Sequence, residues 1–402
     1  MGTAFFPLDE QLDLPATGLL PHAHQTLVRL GSWMPFEQAS RELKAIGGID
    51  VSPATVRRQT LEVGKRAEQV CTHEAAVGLV SAEAEKPARR MAMGSDGGMV
   101  PLRGGVWAEV KTLVIGQVLP VKQQKGGRKT TAHSYFSRLT DAHTFADLAS
   151  AEIARRGIPQ AQDVCAIQDG AQWLQGFVDG HRRDAVRILD FAHAVEYLAA
   201  VAEQGREAGV HVPGSWLDVV LHHLKHQGPE RVMKHLHWWH KHRPNEAVRE
   251  AVRYFGKRLP QMQYPQFQAQ GWPIGSGMVE SANKIVMQAR LKGAGMHWEA
   301  ANVNPMLALR TAICNDRWAE SWRHQQRVRK EQRHAKRQQR VEERRTRLLR
   351  ELKTQVLRWF VLLPSVKPVP PPPQRKGRTE GQRRWGRQTF SPKALSDASA
   401  KI

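Results

Sequence analysis

Three acidic residues far apart in the chain, Asp96, Asp169 and Glu280, are of a type and setting suited to metal chemistry. Asp96 follows an apolar run that starts near Arg90, and Asp169 follows the run DVCAIQ, so both are expected at the ends of strands. Glu280 opens a late amphipathic stretch. Hard cations such as Mg²⁺ or Mn²⁺ take oxygen ligands, and two of them about 4 Å apart can hold the attacking and leaving oxygens of a phosphodiester. Each residue alone also has a plainer reading. Asp96 and Asp169 both precede glycine, as turn residues at strand ends do, and Glu280 with Lys284 makes an ordinary i, i+4 helix pair. Separations of 73 and 111 residues mean that only tertiary folding can bring the three together.

The elements that would position them can be read from periodicity. Strands are predicted in RMAMGSDGGMVPL, WAEVKTLVIGQVLPV and SYFSRL, followed by a helix over about Thr144–Arg156. A strand in DVCAIQDG, a helix near Gln172, a strand in AVRILD and a helix from Ala192 to about Gln204 follow. This is the order of an α/β, RNase H-like fold, a mixed sheet flanked by helices, in which the first and fourth strands are neighbours. Their terminal aspartates would then converge, with a helix lying across them to supply the third carboxylate. On that helix Val279, Ala282, Ile285, Val286 and Ala289 are expected to pack, and Glu280, Asn283, Lys284 and Met287 to share another face.

A chain of 402 residues exceeds one hydrophobic core. The expected division is an N-terminal helical region (1–88), the first part of a catalytic core (89–207), a helical insertion (208–270), the last part of the core (271–316), and a basic helix with a Pro-rich disordered tail (317–402). Charge points to the partner. Sixty Lys and Arg against 38 Asp and Glu leave +22, and residues 317–402 alone hold 24 basic against 7 acidic residues. Such a chain is expected to seek a polyanion, and double-stranded DNA suits it better than a small acidic metabolite or a membrane surface. Within this region Trp318–Arg358 lacks Pro and Gly and reads as one long helix, broken at Pro364–Pro373.

The segment PFEQASRELKAIGGIDVSPATVRRQTLEVGKRA predicts a helix, a turn at Gly47 and Gly48, and a second helix, a helix-turn-helix over about 35–65. Ser52 is placed to cap the second helix with Pro53 at its first position, and Thr55, Arg57, Arg58 and Gln59 offer donors to DNA. Three distant cysteines without a CxxC pair fit a reducing compartment, and no long apolar run or leader is evident, so a cytoplasmic, nucleoid-associated protein is expected.

Four blocks in order, SDGGMVPLRGGVWAEVK, AIQDGAQW, ILDFAHAVEYL and WPIGSGMVESANKIVMQARLKGAGMHW, resemble those of bacterial insertion-sequence DDE transposases of the ISKra group, relatives of the Mutator-like transposases. The resemblance runs from about residue 15 to about residue 322. It implies that Asp96, Asp169 and Glu280 are the metal-binding triad, holding Mg²⁺ or Mn²⁺, two ions in all, and that the helices between Asp169 and Glu280 are an insertion typical of the superfamily. The chain departs from the family in starting later and in carrying Gln261 where Arg is common.

Several further residues compete for roles. Asp190 to His193 resemble the C/D-x-x-H signature of Mutator-like enzymes, which makes Asp190 a rival ligand, although strand order favours Asp169. His193 is a candidate for a DNA phosphate or for holding Asp190, against a structural role at a helix start. Lys284, Arg290 and Lys292 are candidate DNA contacts, and Trp298 is either a base-stacking side chain or a buried one. The histidines from His222 to His242 lack a cysteine or carboxylate at a recognised zinc spacing, so a structural metal is not expected there. Trp238 and Trp239 are expected in the core of the insertion. The expected function is metal-dependent cleavage and strand transfer at element ends by a homodimer or higher oligomer. The alternatives are an RNase H-like nuclease or junction resolvase, and a non-catalytic DNA-binding regulator.

Overall fold

The structure, a computed structural model, describes residues 19–78, 88–123 and 129–360, together with 370–372, 377 and 380. The expected Pro-rich break and basic tail fall almost wholly outside these residues. The chain enters through helices α1 (Pro21–Trp33), α2 (Phe36–Gly47) and α3 (Pro53–Val77). Ser52 caps α3 by accepting the Thr55 N–H, with Pro53 in the first helical position, as its sequence predicts. Gly48, at φ +62°, ends α2 in the left-handed conformation that glycine adopts without strain. However, α3 continues well past the expected end near residue 65 and buries Val56, Thr60, Leu61, Val63 and Ala67. At Gly64 a side chain would collide with the Pro305 carbonyl, 2.6 Å from where a Cβ would stand, so α3 is a core helix over much of its length.

Five strands follow, β1 (Arg90–Pro101), β2 (Trp107–Val118), β3 (Thr130–Arg138), β4 (Asp163–Gln168) and β5 (Val186–Leu189). They form one mixed sheet in the order β3-β2-β1-β4-β5, with β2 antiparallel to both of its neighbours and β4 and β5 parallel to β1. The predicted succession of strands and helices and the adjacency of first and fourth strands are both observed. Helix α4 (Ala142–Arg155), capped by Asp141, joins β3 to β4, and α5 (Gln172–His181) joins β4 to β5. Side chains of β1 alternate between two apolar layers. Met91 and Met93 face α4 and α5 through Phe145, Ile153 and Phe177, whereas Ala92 and Val100 face the remaining helices. Both faces are therefore covered, which suits the nearly unbroken burial of Val110–Gly116 in β2.

On the second face lie α6 (Phe191–Glu207) and the expected helical insertion, α7 (Trp216–Gln227), α8 (Pro229–His242), α9 (Glu246–Gly256) and the short α10 (Tyr264–Ala269). Trp239 belongs to this core, but Trp238 is mostly exposed and stacks on His242. A continuous helical segment then begins as α11 (Gly277–Ala282), widens into a π turn over Asn283–Gln288 and closes at Ala289–Leu291. Helix α12 (Ala300–Cys314) packs on α3, and α13 spans Trp318–Phe360. The chain divides into two compact units, Met1–Arg333 and His334–Ile402. In the second, the side chains from His334 to Leu357 are all exposed, a polar helix without a buried stripe.

Candidate functional site

Asp96 and Asp169 are brought together by strand register. The parallel ladder pairs Ala92 with Cys165 and Gly94 with Ile167, after which β4 ends and β1 continues against β2 alone. Asp169 follows β4 directly, one residue beyond its last strand position, and lies near enough to Asp96 for its charge to act on that carboxyl. Asp96 thus lies in the middle of β1 rather than at its end as expected. What ends there is the neighbouring strand, which opens one flank of the carboxylate. The Gly97 N–H donates to Asp96 Oδ1 (2.7 Å) and the Asn283 amide donates to Oδ2 (3.1 Å). Burial raises the Asp96 pKa above the ordinary value; the Gly97 hydrogen bond opposes this, and the charge of Asp169 adds to it.

Asp169 belongs to a tight turn. Its Oδ1 accepts the Ala171 N–H (2.8 Å), and Gly170 takes a φ of +81°. The insertion holds this turn from one side. Tyr254 donates its hydroxyl to the Asp169 carbonyl, and Arg258 donates to the Gly170 carbonyl, with Nε at 3.1 Å. Tyr254 is itself clamped between Tyr197, stacked at 4.1 Å, and the Arg258 guanidinium, 4.1 Å from the ring centre. The cleft beside Asp169 is lined by these side chains with His193, Glu196 and Glu250. No pattern of spacing marks Tyr254 or Arg258, since each acts through a carbonyl more than 80 residues away.

Glu280 stands apart from the two aspartates. It lies on α11, its side chain is 68% exposed, and its carboxylate is held by Lys284 at 2.6 Å, an ion pair that lowers its pKa. The helix does cross β1 on the face that carries Asp96, because Gly94 and Gly98 leave room for it: a Cβ at Gly94 would strike Val279, and one at Gly98 would strike Met287. The residue that this close approach brings to Asp96 is Asn283. The expected division of faces therefore needs correction. Asn283 and Met287 are buried, whereas Ile285 and Ala289 are exposed. Asn283 begins the π turn and stands four residues after the buried Val279, so helical spacing itself sets it on the packed side. Arg310 on α12 secures the turn by donating to the Ile285 and Val286 carbonyls, the latter at 3.3 Å.

Asp190 is hydrogen-bonded through both oxygens. Its Oδ1 accepts the Ser276 N–H (3.0 Å) and the Ala192 N–H (3.2 Å), and its Oδ2 accepts the Ser276 hydroxyl (2.6 Å), at 2% exposure. It caps α6 and moors the Gly275–Ser276 turn that launches α11, a structural task that engages both of its oxygens. His193 does not hold it; the imidazole faces Glu196 at 3.1 Å on the rim of the cleft.

The candidate DNA contacts divide by exposure. Arg57, Arg58, Lys284 and Lys292 are exposed, Lys284 in its pair with Glu280 and Lys292 above the Trp107 ring. Arg290 is 1% exposed, donates to the Gly31 carbonyl (3.1 Å) and packs against the Phe36 and Trp298 rings; burial, with Arg310 nearby, lowers its pKa to about 10. It is a core cation and cannot reach a phosphate. Trp298 is also buried, donating its indole N–H to the Leu291 carbonyl (3.1 Å), so it has no face for a base. Gln59, offered by the sequence as a DNA donor, is buried against His24 at 3.0 Å. The histidines of the insertion lie in loose pairs, His222 with His226 and His223 with His235.

A hard cation suits the donor chemistry of Asp96 and Asp169, two carboxylates that repel each other, one of them partly desolvated. Glu280 does not join them. Among the described residues no three His, Cys, Asp or Glu side chains are grouped closely enough to hold a metal ion. Compared with known proteins, the chain matches no protein-family model and no curated protein.

Proposed function

We propose that this chain is a transposase that uses an RNase H-like core to cut and join DNA at the ends of an insertion sequence. The observation that carries this reading is the nearness of Asp96 in β1 to Asp169 just past the end of β4, where β1 continues without that neighbour. The strand order, the helical insertion between Asp169 and Glu280, and the basic helix α13 support it. Asp96 and Asp169 would hold Mg²⁺ or Mn²⁺, two ions in the full site, with Glu280 as the third carboxylate once its pair with Lys284 opens. Bound cations would activate a water or a 3′-OH and neutralise charge at the phosphate. The protein's own part is placement: Tyr254 and Arg258 fix the Asp169 turn, and the Gly97 N–H and Asn283 fix Asp96. Arg57, Arg58, Lys292 and the exposed cations of α13 are the proposed contacts to double-stranded DNA, and two element ends call for a homodimer or larger assembly. No described helix is long and apolar enough to cross a membrane, and binding to the nucleoid is the proposed location.

The test is an assay on repeat-end DNA with Mg²⁺ or Mn²⁺. Cleavage that exposes a 3′-OH, followed by joined products, is expected. Asp96→Asn or Asp169→Asn is expected to lower both steps by roughly a thousandfold while DNA binding changes little. Variants that work at the parental rate would refute the proposal, and cutting of branched DNA without joining would assign a nuclease or resolvase instead. The exposed, separately paired Glu280 favours one further reading, a DNA-binding regulator without turnover. That reading predicts binding to the repeat with neither ion eliciting products.

A further inference from the structure

Asn283 is 5% exposed, and only one end of its amide is used. Nδ2 donates to Asp96 Oδ2 at 3.1 Å, while Oδ1 is buried with no hydrogen-bond partner. The amide orientation follows from Asp96, because the reverse would set an oxygen lone pair against a carboxylate oxygen. A buried amide oxygen without a partner costs about 1–3 kcal/mol, and native structures retain such groups rarely. Oδ1 and Nδ2 share one carbon, so this orphan lies within an amide's width of the Asp96 carboxylate. The surroundings confirm that it stands over the same strip of β1: a Cβ at Gly98, two residues along that face, would come within 3.5 Å of Oδ1.

Three separate features put Asn283 there. Gly94 and Gly98 flank Asp96 on one face and let the helix approach β1 closely. The π turn begins at Asn283 itself, and Arg310 secures the carbonyls of that turn. Glu280, one turn earlier, points to solvent. An uncharged oxygen next to two repelling carboxylates is a donor that a hard cation accepts readily, since such ions take amide and carbonyl oxygens along with carboxylates.

We propose that Asn283 is a ligand of the divalent-cation site formed with Asp96 and Asp169, supplying its side-chain Oδ1. This rests on the metal-binding role assigned above to the two aspartates and adds a donor that a search for acidic side chains alone passes over. Binding is measured on the full chain with Mn²⁺ alone, by calorimetry and by loss of the free-ion electron paramagnetic resonance signal. The parent binds, and Asn283→Leu, close in volume but without polar atoms, binds about tenfold more weakly or worse, the scale seen when support around a metal is removed. Asn283→Asp retains the oxygen and adds a charge. Its melting temperature falls below the parent's without the ion, because three carboxylates then repel, and recovers when Mn²⁺ is added.

Parental affinity in Asn283→Leu, with binding abolished in Asp96→Asn, would overturn the role of Asn283 while leaving the aspartate pair intact. A parent chain that binds no Mn²⁺ would overturn both. If Asn283→Leu does not fold, Asn283→Asp decides: a melting deficit that is the same with and without Mn²⁺ marks a structural hydrogen bond only and overturns the assignment.

Discussion

Two aspartates, Asp96 in β1 and Asp190 just past β5, with β4 between those strands, are both partly or wholly withdrawn from bulk water, yet they differ in how fully their oxygens are used. Asp190 receives three donors, two from Ser276 and one from Ala192, and links the β5–α6 junction to the turn before α11. Asp96 receives two donors, one of them from a side chain that keeps an unused oxygen, and it faces a second carboxylate. Burial by itself therefore says little about role. A carboxylate engaged on both oxygens by the protein is a fastening, whereas one less fully supplied beside a like charge is where the proposed cation would be held.

Asp190→Ala sharpens this contrast most. It strands the Ser276 N–H, the Ser276 hydroxyl and the Ala192 N–H, and is expected to cost about 3 kcal/mol, read from denaturant unfolding. An unchanged midpoint would show that Asp190 fastens nothing. Tyr254→Phe comes next. It removes the donor to the Asp169 carbonyl at the cost of about 1 kcal/mol of stability, and it should weaken Mn²⁺ binding several-fold by loosening the Asp169 turn, a split that melting and calorimetry measure together. The smallest effect has the opposite sign. Asp96→Asn removes a disfavoured charge and should raise the ion-free melting temperature slightly.

The pH dependence follows from the same inequality. Because the Asp96 pKa is raised in the folded protein, the folded state holds that proton more tightly than the unfolded chain does. Its contribution to stability is therefore largest in acid and is lost as pH rises from the ordinary aspartate value through the raised one. Cation affinity runs the other way, falling as pH drops through the raised pKa. Titration of Mn²⁺ affinity should show this loss starting at a higher pH than an exposed aspartate would give, and Asp96→Glu should move it.

Much of the frame was legible because it depends on local periodicity. The strand and helix order and the Ser52 cap follow from patterns within a dozen residues, and the adjacency of the first and fourth strands was expected from that order. The errors lie where the deciding partner is remote. Arg290 reads as a surface cation until Phe36, Trp298 and the Gly31 carbonyl enclose it. Asp190 reads as a rival ligand until Ser276, 86 residues later, fills its oxygens. Asn283 reads as a polar neighbour of Glu280 until the close approach of its helix to β1 sets its amide against Asp96, 187 residues away.

The π turn over Asn283–Gln288 makes residue count, as well as residue type, a determinant of what faces the sheet. Deleting one position between 283 and 288 would restore an unbroken α-helix while leaving the parts before and after it facing as they do. Aligning this segment with a regular helix without a one-residue gap would therefore compare side chains that occupy different positions in space.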